Sequence, residues 1–223
     1  MGKIVKAKGA RDSFVARETW KIFKIMSEFV DAFEEMKELG PAVTLWGSSR
    51  AKRVSKFYRL TQETARAIAD AGFSVITGGG PGLMEAANKG AKRGKGKSVG
   101  LNIKIPEEQT ANKYLDLCID FDYFFIRKVM FVKYASAFVI MPGGYGTMDE
   151  LFEALTLIQT EKSQLFPVIL VGTEYWGGLL KWLKETVVKE GHLYRKELNV
   201  FTVTDDPREV VRIIKESQKK NGG

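Results

Sequence analysis

Residues Ala137 to Glu153 read AFVIMPGGYGTMDELFE. The first five are apolar and partly β-branched, which predicts a buried strand. Pro142 to Thr147 then interrupts the strand, and from Met148 the apolar residues Leu151, Phe152, Leu155 and Ile158 recur at helical spacing. The reading is strand, glycine loop, helix. A helix start leaves backbone N–H groups without partners at the positive end of the dipole, so an anion is the natural guest. Gly143, Gly144 and Gly146, with Tyr145 among them, allow close backbone approach to a phosphate, and Thr147 adds a hydroxyl donor. Asp149 and Glu150 follow in what reads as the first helical turn. Carboxylates there either complement the dipole or face the sugar of a bound nucleotide as an acid or base.

A second glycine stretch, TGGGPG at 77 to 82, also follows an apolar run (Phe73 to Thr77) and precedes a helical pattern, so Gly79 and Gly80 join the candidate phosphate contacts. Neither loop has the Lys-Ser/Thr of a P-loop, and neither fits GxGxxG. Working outward, Ala42 to Trp46 reads as the first strand, followed by Gly47-Ser48-Ser49-Arg50. That loop suits ligand contact at a strand's carboxyl end, or equally a turn with an N-cap. Further strands are expected at 98 to 103, 115 to 121, 167 to 171 and 200 to 203. Helices are expected at 55 to 71, 81 to 93, 122 to 134, 176 to 190 and 207 to 216. Short apolar runs separated by helices predict an α/β fold, a Rossmann-like three-layer α/β/α domain with a central, mostly parallel sheet.

Ahead of this alternation, apolar residues at 20, 23, 26, 30, 33 and 36 mark an added helix over 19 to 40. Trp20, Phe23, Phe29 and Phe33 suit packing, either on the sheet or on a partner subunit. The domain reading is a mobile segment 1 to 18, one domain from 19 to 217, and a frayed tail 218 to 223.

The net charge of +8 raises nucleic-acid binding, which would weaken steeply with salt. The cations are scattered, however, and their densest clusters, Lys92 to Lys97 and Lys215 to Lys220, suit solvated faces and steering of a small anion better. With one cysteine and one histidine, an intramolecular disulfide and a His- or Cys-rich metal site are excluded. Cys118 falls in the alternation Leu115, Leu117, Ile119, Phe121 and reads as a buried strand residue. Catalysis therefore rests on carboxylates, Arg, Lys or hydroxyls. No apolar run approaches the ~18 residues of a membrane span, and the N-terminus lacks a signal-peptide core, so the expected address is the cytoplasm. In DYFFIRKVMFVKY (122 to 134), Arg127 and Lys128 stand on an aromatic, apolar segment, either ion-paired or facing a ligand.

GGGPGLMEAA at 78 to 87, the Arg127-Lys128 pair and PGGYGTMDE at 142 to 150 together resemble the Lonely Guy family of cytokinin-riboside 5'-monophosphate phosphoribohydrolases, many of whose bacterial members carry the label of a lysine decarboxylase. The resemblance runs from about Ala42 to Ile214. It implies hydrolysis of the N-glycosidic bond of a purine nucleoside 5'-monophosphate, AMP or N6-prenylated AMP, with water as nucleophile and no metal or redox cofactor. Glu150 matches the family's catalytic glutamate. Arg127 matches its catalytic arginine, which either stabilises charge on the departing base or clamps a ribose hydroxyl, and Lys128 shares in binding. By the same resemblance Gly47 and Ser48 lie at the nucleotide site, and Glu108 is the best match for a nucleotide-contacting glutamate, with Glu107 and Gln109 as rivals. Phe125-Ile126 stand where plant-like members have His-Glu, and Asp149 replaces a Glu. The family further implies a homodimer or higher homo-oligomer. Lysine decarboxylation is not implied, since nothing marks a Schiff-base lysine. The competing expectation is a non-catalytic carrier of the same fold that holds a nucleotide or molybdenum cofactor.

Overall fold

The computed structural model describes residues 6–105, 110–160 and 166–221, with side chains from Thr19 to Lys220 at the two terminal helices. Seven strands form one sheet in the order β4-β3-β2-β1-β5-β6-β7, and every pair is parallel. They are β1 (Ala42–Trp46), β2 (Ser74–Thr77), β3 (Ser98–Ile103), β4 (Leu117–Phe121), β5 (Ala135–Ile140), β6 (Val168–Leu170) and β7 (Phe201–Val203). The helices are α1 (Lys6–Met36), α2 (Lys56–Asp70), α3 (Leu83–Ala91), α4 (Phe124–Lys133), α5 (Tyr145–Gln159), α6 (Thr173–Trp182) and α7 (Pro207–Asn221).

Period-two alternation divides the core into two layers. Val43 and Leu45 of β1 meet α2, α3 and α7 on one face. Ala42 and Trp46 meet α1, α4, α5 and α6 on the other. Strands β1, β2, β3 and β6 are buried throughout, as a parallel sheet covered on both sides requires. The chain winds outward from β1 through β4, then returns to the far side of β1 with β5. Connections therefore leave the carboxyl ends of β1 and β5 in opposite directions, and this reversal opens a crevice at that edge.

Several local expectations are corrected. The helix after β5 begins at Tyr145, capped by Gly144, so Tyr145, Gly146 and Thr147 are helical and Asp149 and Glu150 fall beyond the first turn. Its first turn faces away from most of the core, so apolar spacing carries no sign of it. Helix α1 begins at Lys6 where a mobile segment is expected, because its Ala-, Lys- and Arg-rich start favours helix without showing an apolar stripe; residues 1–5 lie outside the described residues. Cys118 is exposed: on edge strand β4 it shares the outer face with Asp120, while Leu117, Ile119 and Phe121 take the other. The C-terminal helix continues to Asn221. Helix α6 runs directly into a π-helical turn over Leu183–Val187.

Candidate active site

Three stretches converge at the β1/β5 crevice. Ser48 N donates to Pro142 O at 3.0 Å and Leu83 N to Ser48 O at 2.8 Å, which ties the loop after β1 to the loop after β5 and to the start of α3. Gly82 has φ +68°, and a Cβ there would run into Ser48 O, so this crossing needs glycine. Between the three stretches lies a cavity of about 380 Å³.

Of the predicted site residues, Gly47, Ser48, Arg127, Gly144, Tyr145, Gly146, Thr147, Asp149 and Glu150 line this cavity. Gly144 and Gly146 have open space where a Cβ would stand, so the start of α5 is bare main chain. Gly143 does not line it. Thr147 packs over its α-carbon, and its carbonyl accepts from Tyr175 Oη at 2.6 Å. The loop after β2 contributes through Gly78. Gly79 turns away at φ +70° against Gly100, and Asn112 Nδ2 donates to the carbonyls of Gly79 (2.9 Å) and Gly80 (3.1 Å). Those two glycines are held as scaffold. Lys128 lies to one side of the cavity, clamping α4 to α5 through Asp149 (2.8 Å) and Glu153 (3.0 Å). Glu107, Glu108 and Gln109 lie outside the described residues.

Ser49 and Arg50, in the loop expected to suit ligand contact, line the cavity too, whereas sequence reasoning missed Trp46, Met84, Ile103, Ile105 and Phe124. Most sit at the carboxyl ends of β1 and β3 or on the elements that follow, so the crevice rule applied to every strand would have found them. They give one wall an apolar, aromatic character beside the charged groups.

Arg127 is nearly buried, its guanidinium 5.1 Å over the Phe131 ring. Gly78 makes room for it: a Cβ there would stand 2.6 Å from Arg127 Nη2. Burial pushes the guanidinium below its ordinary value, with Glu150 opposing. Glu150 is pushed up to about 7, chiefly by burial, while Lys128 and Arg127 pull it back and Glu153 and Asp149 add to the rise. A carboxyl that titrates near neutrality exchanges protons at little cost. Buried polar atoms ordinarily find partners. Among the described residues, Trp46 Nε1, Arg127 Nε and Glu150 Oε2 are buried without a hydrogen-bond partner, and all three belong to residues of this one cavity. Glu150 also lies beyond the first turn of α5, so complementing the dipole does not explain it.

Among the described residues, no helix is long and apolar enough to cross a membrane. A family model described as "Possible lysine decarboxylase" matches residues 84–214. The cytokinin riboside 5'-monophosphate phosphoribohydrolase of Mycobacterium tuberculosis is 29% identical over 71% of this chain and 85% of its own. The pyrimidine/purine nucleotide 5'-monophosphate nucleosidase of Escherichia coli is 31% identical over 65% of this chain but 34% of its own length. Among solved structures, the molybdenum cofactor binding protein of Rippkaea orientalis superposes with a TM-score of 0.57 at 21% identity, covering 79% of this chain and 96% of that one, a likeness of fold. The family match spans more than half of the chain and takes in Arg127, Lys128 and PGGYGTMDE, the stretches that supply the Arg127 and Glu150 sides of the crevice, so the chain belongs to the "possible lysine decarboxylase" or Lonely Guy family.

Proposed function

We propose that this chain hydrolyses the N-glycosidic bond of a purine nucleoside 5'-monophosphate, AMP or its N6-modified form, to free base and ribose 5-phosphate. The observation that carries the reading is the shared cavity: bare main chain at Gly144 and Gly146 faces the same space as the Glu150 carboxyl, whose buried Oε2 has no hydrogen-bond partner. The phosphoryl group would take the N–H groups at the start of α5, where the dipole is positive. That anchor places the ribose toward Glu150. As the bond from C1' to the base nitrogen breaks, its electron pair leaves with the base and the ribose gains oxocarbenium character. The Glu150 carboxylate stabilises that charge and takes a proton from the water whose oxygen bonds to C1'. The proton then passes to the departing base. Arg127, short of a hydrogen bond at Nε, would meet negative charge on the base or a ribose hydroxyl. The apolar wall of Met84, Ile103, Ile105 and Phe124 suits the flat base.

The names of the M. tuberculosis and E. coli relatives support cleavage of nucleoside monophosphates as the reaction class. A carrier reading has the fold likeness to molybdenum-cofactor proteins behind it. It gives no reason to keep a buried oxygen of an ionisable carboxyl without a partner, an arrangement that costs stability. Incubation with AMP separates the two. The proposal expects adenine and ribose 5-phosphate in equal amounts, lost in Glu150→Gln; intact AMP retained on the protein would favour the carrier.

A further inference from the structure

We propose that Arg50 clamps the phosphate end of the ligand and is the residue by which this cavity selects a phosphomonoester over a diester or an uncharged sugar. The proposal rests on the nucleoside-monophosphate reading of the cavity and names what holds the anionic end. Among the described residues, the acidic and basic side chains that line the cavity belong to Arg50, Arg127, Asp149 and Glu150. Three of the four are engaged within the chain. Lys128 holds Asp149 at 2.8 Å. Arg127, over the Phe131 ring, and Glu150 interact as opposite charges. Arg50 is exposed, and its guanidinium has no hydrogen bond or ion pair among the described residues.

One contact sets this residue beside the bare start of α5. Ser48 N donates to Pro142 O at 3.0 Å, so the loop after β1 and the loop after β5 touch there. Two residues further along each loop stand Arg50 and Gly144, and both line the same cavity. Arg50 N donates to Ser48 Oγ at 3.1 Å, which fixes the turn between the contact and the guanidinium. The first turn of α5, Tyr145-Gly146-Thr147, brings no cation of its own. Its free N–H groups amount to about half a positive charge. A phosphomonoester carries about −1.5 to −2 near neutrality, so the helix alone leaves most of that charge unmet. A guanidinium supplies the remainder, and its planar fork pairs with two phosphate oxygens at once. A diester has a single negative charge and two of its oxygens esterified, so it gains less from the fork.

The test is calorimetric titration of the full chain with ribose 5-phosphate, which has no base to lose, and with its methyl phosphodiester. The wild type is expected to bind the monoester about tenfold or more tightly than the diester. Arg50→Met should lose about tenfold or more in affinity for the monoester and little for the diester. Arg50→Lys, which keeps the charge without the fork, should fall between. Arg53→Met is the control for the loop. Arg53 is also exposed, but Glu85 holds it at 2.9 Å and it does not line the cavity, so its loss should leave monoester affinity unchanged. Turnover of AMP separates the clamp from the hydrolysis reading. Binding of ribose 5-phosphate that depends on Arg50, without adenine release from AMP, would keep the clamp and remove hydrolysis. Adenine release with a KM that Arg50→Met leaves unchanged would keep hydrolysis and overturn the clamp. Equal affinity for monoester and diester, no binding of ribose 5-phosphate, or a loss in Arg53→Met as large as in Arg50→Met would also overturn it.

Discussion

The loop after β2 and the loop after β5 are written in nearly the same letters, TGGGPG against PGGYGT, and both lead into a helix at the carboxyl edge of the sheet. In the first, the absent Cβ atoms are taken up by the protein itself. Gly78 yields its space to Arg127, Gly79 turns at positive φ against β3, and Gly82 crosses the Ser48 carbonyl. In the second, Gly143 yields to Thr147, but Gly144 and Gly146 face nothing. Glycine content alone does not make an anion site. What distinguishes the two is whether the missing side chain is replaced by protein or by open space.

Alanine at matched positions should break that comparison most strongly. Gly82→Ala forces a Cβ onto a carbonyl at φ +68° and is expected to cost about 3 kcal/mol or more in denaturant unfolding. Gly144→Ala, at φ −88° with room around it, should stay within about 1 kcal/mol. Equal losses would remove the distinction. The stability effect of Glu150→Gln comes next. The folded-state value of about 7 lies above the ordinary 4.5, so folding favours the protonated acid. That stability is fully present below about pH 4.5 and is lost as pH rises through about 7. Glu150→Gln should therefore unfold at higher temperature than wild type at pH 8, by up to about 3 kcal/mol, with the gain shrinking toward pH 5.

Gly78→Ala sharpens the contrast from the other side, since this first-loop glycine reaches the chemistry only through Arg127. About a tenfold fall in kcat with unfolding changed by less than about 1 kcal/mol is expected, because the group displaced is the end of a flexible side chain. The smallest effect should come from Lys128→Met. Removing a charge that pulls the Glu150 value down should move the acid limb of the activity profile upward by about half a unit to one unit. A limb that stays in place would leave Lys128 as a clamp between α4 and α5 only.

Where buried strands alternate with amphipathic helices, the sequence is an accurate guide. The bounds of β1 and β3 match their apolar runs residue for residue, since both faces of those strands are core. Legibility falls wherever a segment serves something other than the core. The first turn of α5 is capped by glycine and faces the cavity, so periodicity starts only at Leu151. The Arg127 and Gly78 contact joins residues far apart in the chain, and neither neighbourhood announces the other. Lys128 beside Arg127 reads as its equal, yet one helical step turns it from the cavity to Asp149 and Glu153. The reading of Cys118 as buried fails on the same alternation that suggested it, since turning Leu117 and Ile119 inward puts their neighbour outside.

The central claim is that an acid group near neutrality does the proton work beside a bare main-chain anion site. Its most direct test is the pH dependence of kcat/KM for base release from AMP. The account predicts activity that rises with pH through an apparent pKa of about 7, as Glu150 gives up its proton, and a rate about a thousandfold lower in Glu150→Gln. A wild-type profile that is flat between about pH 5 and 9, or a Glu150→Gln variant that keeps the wild-type rate, would contradict it.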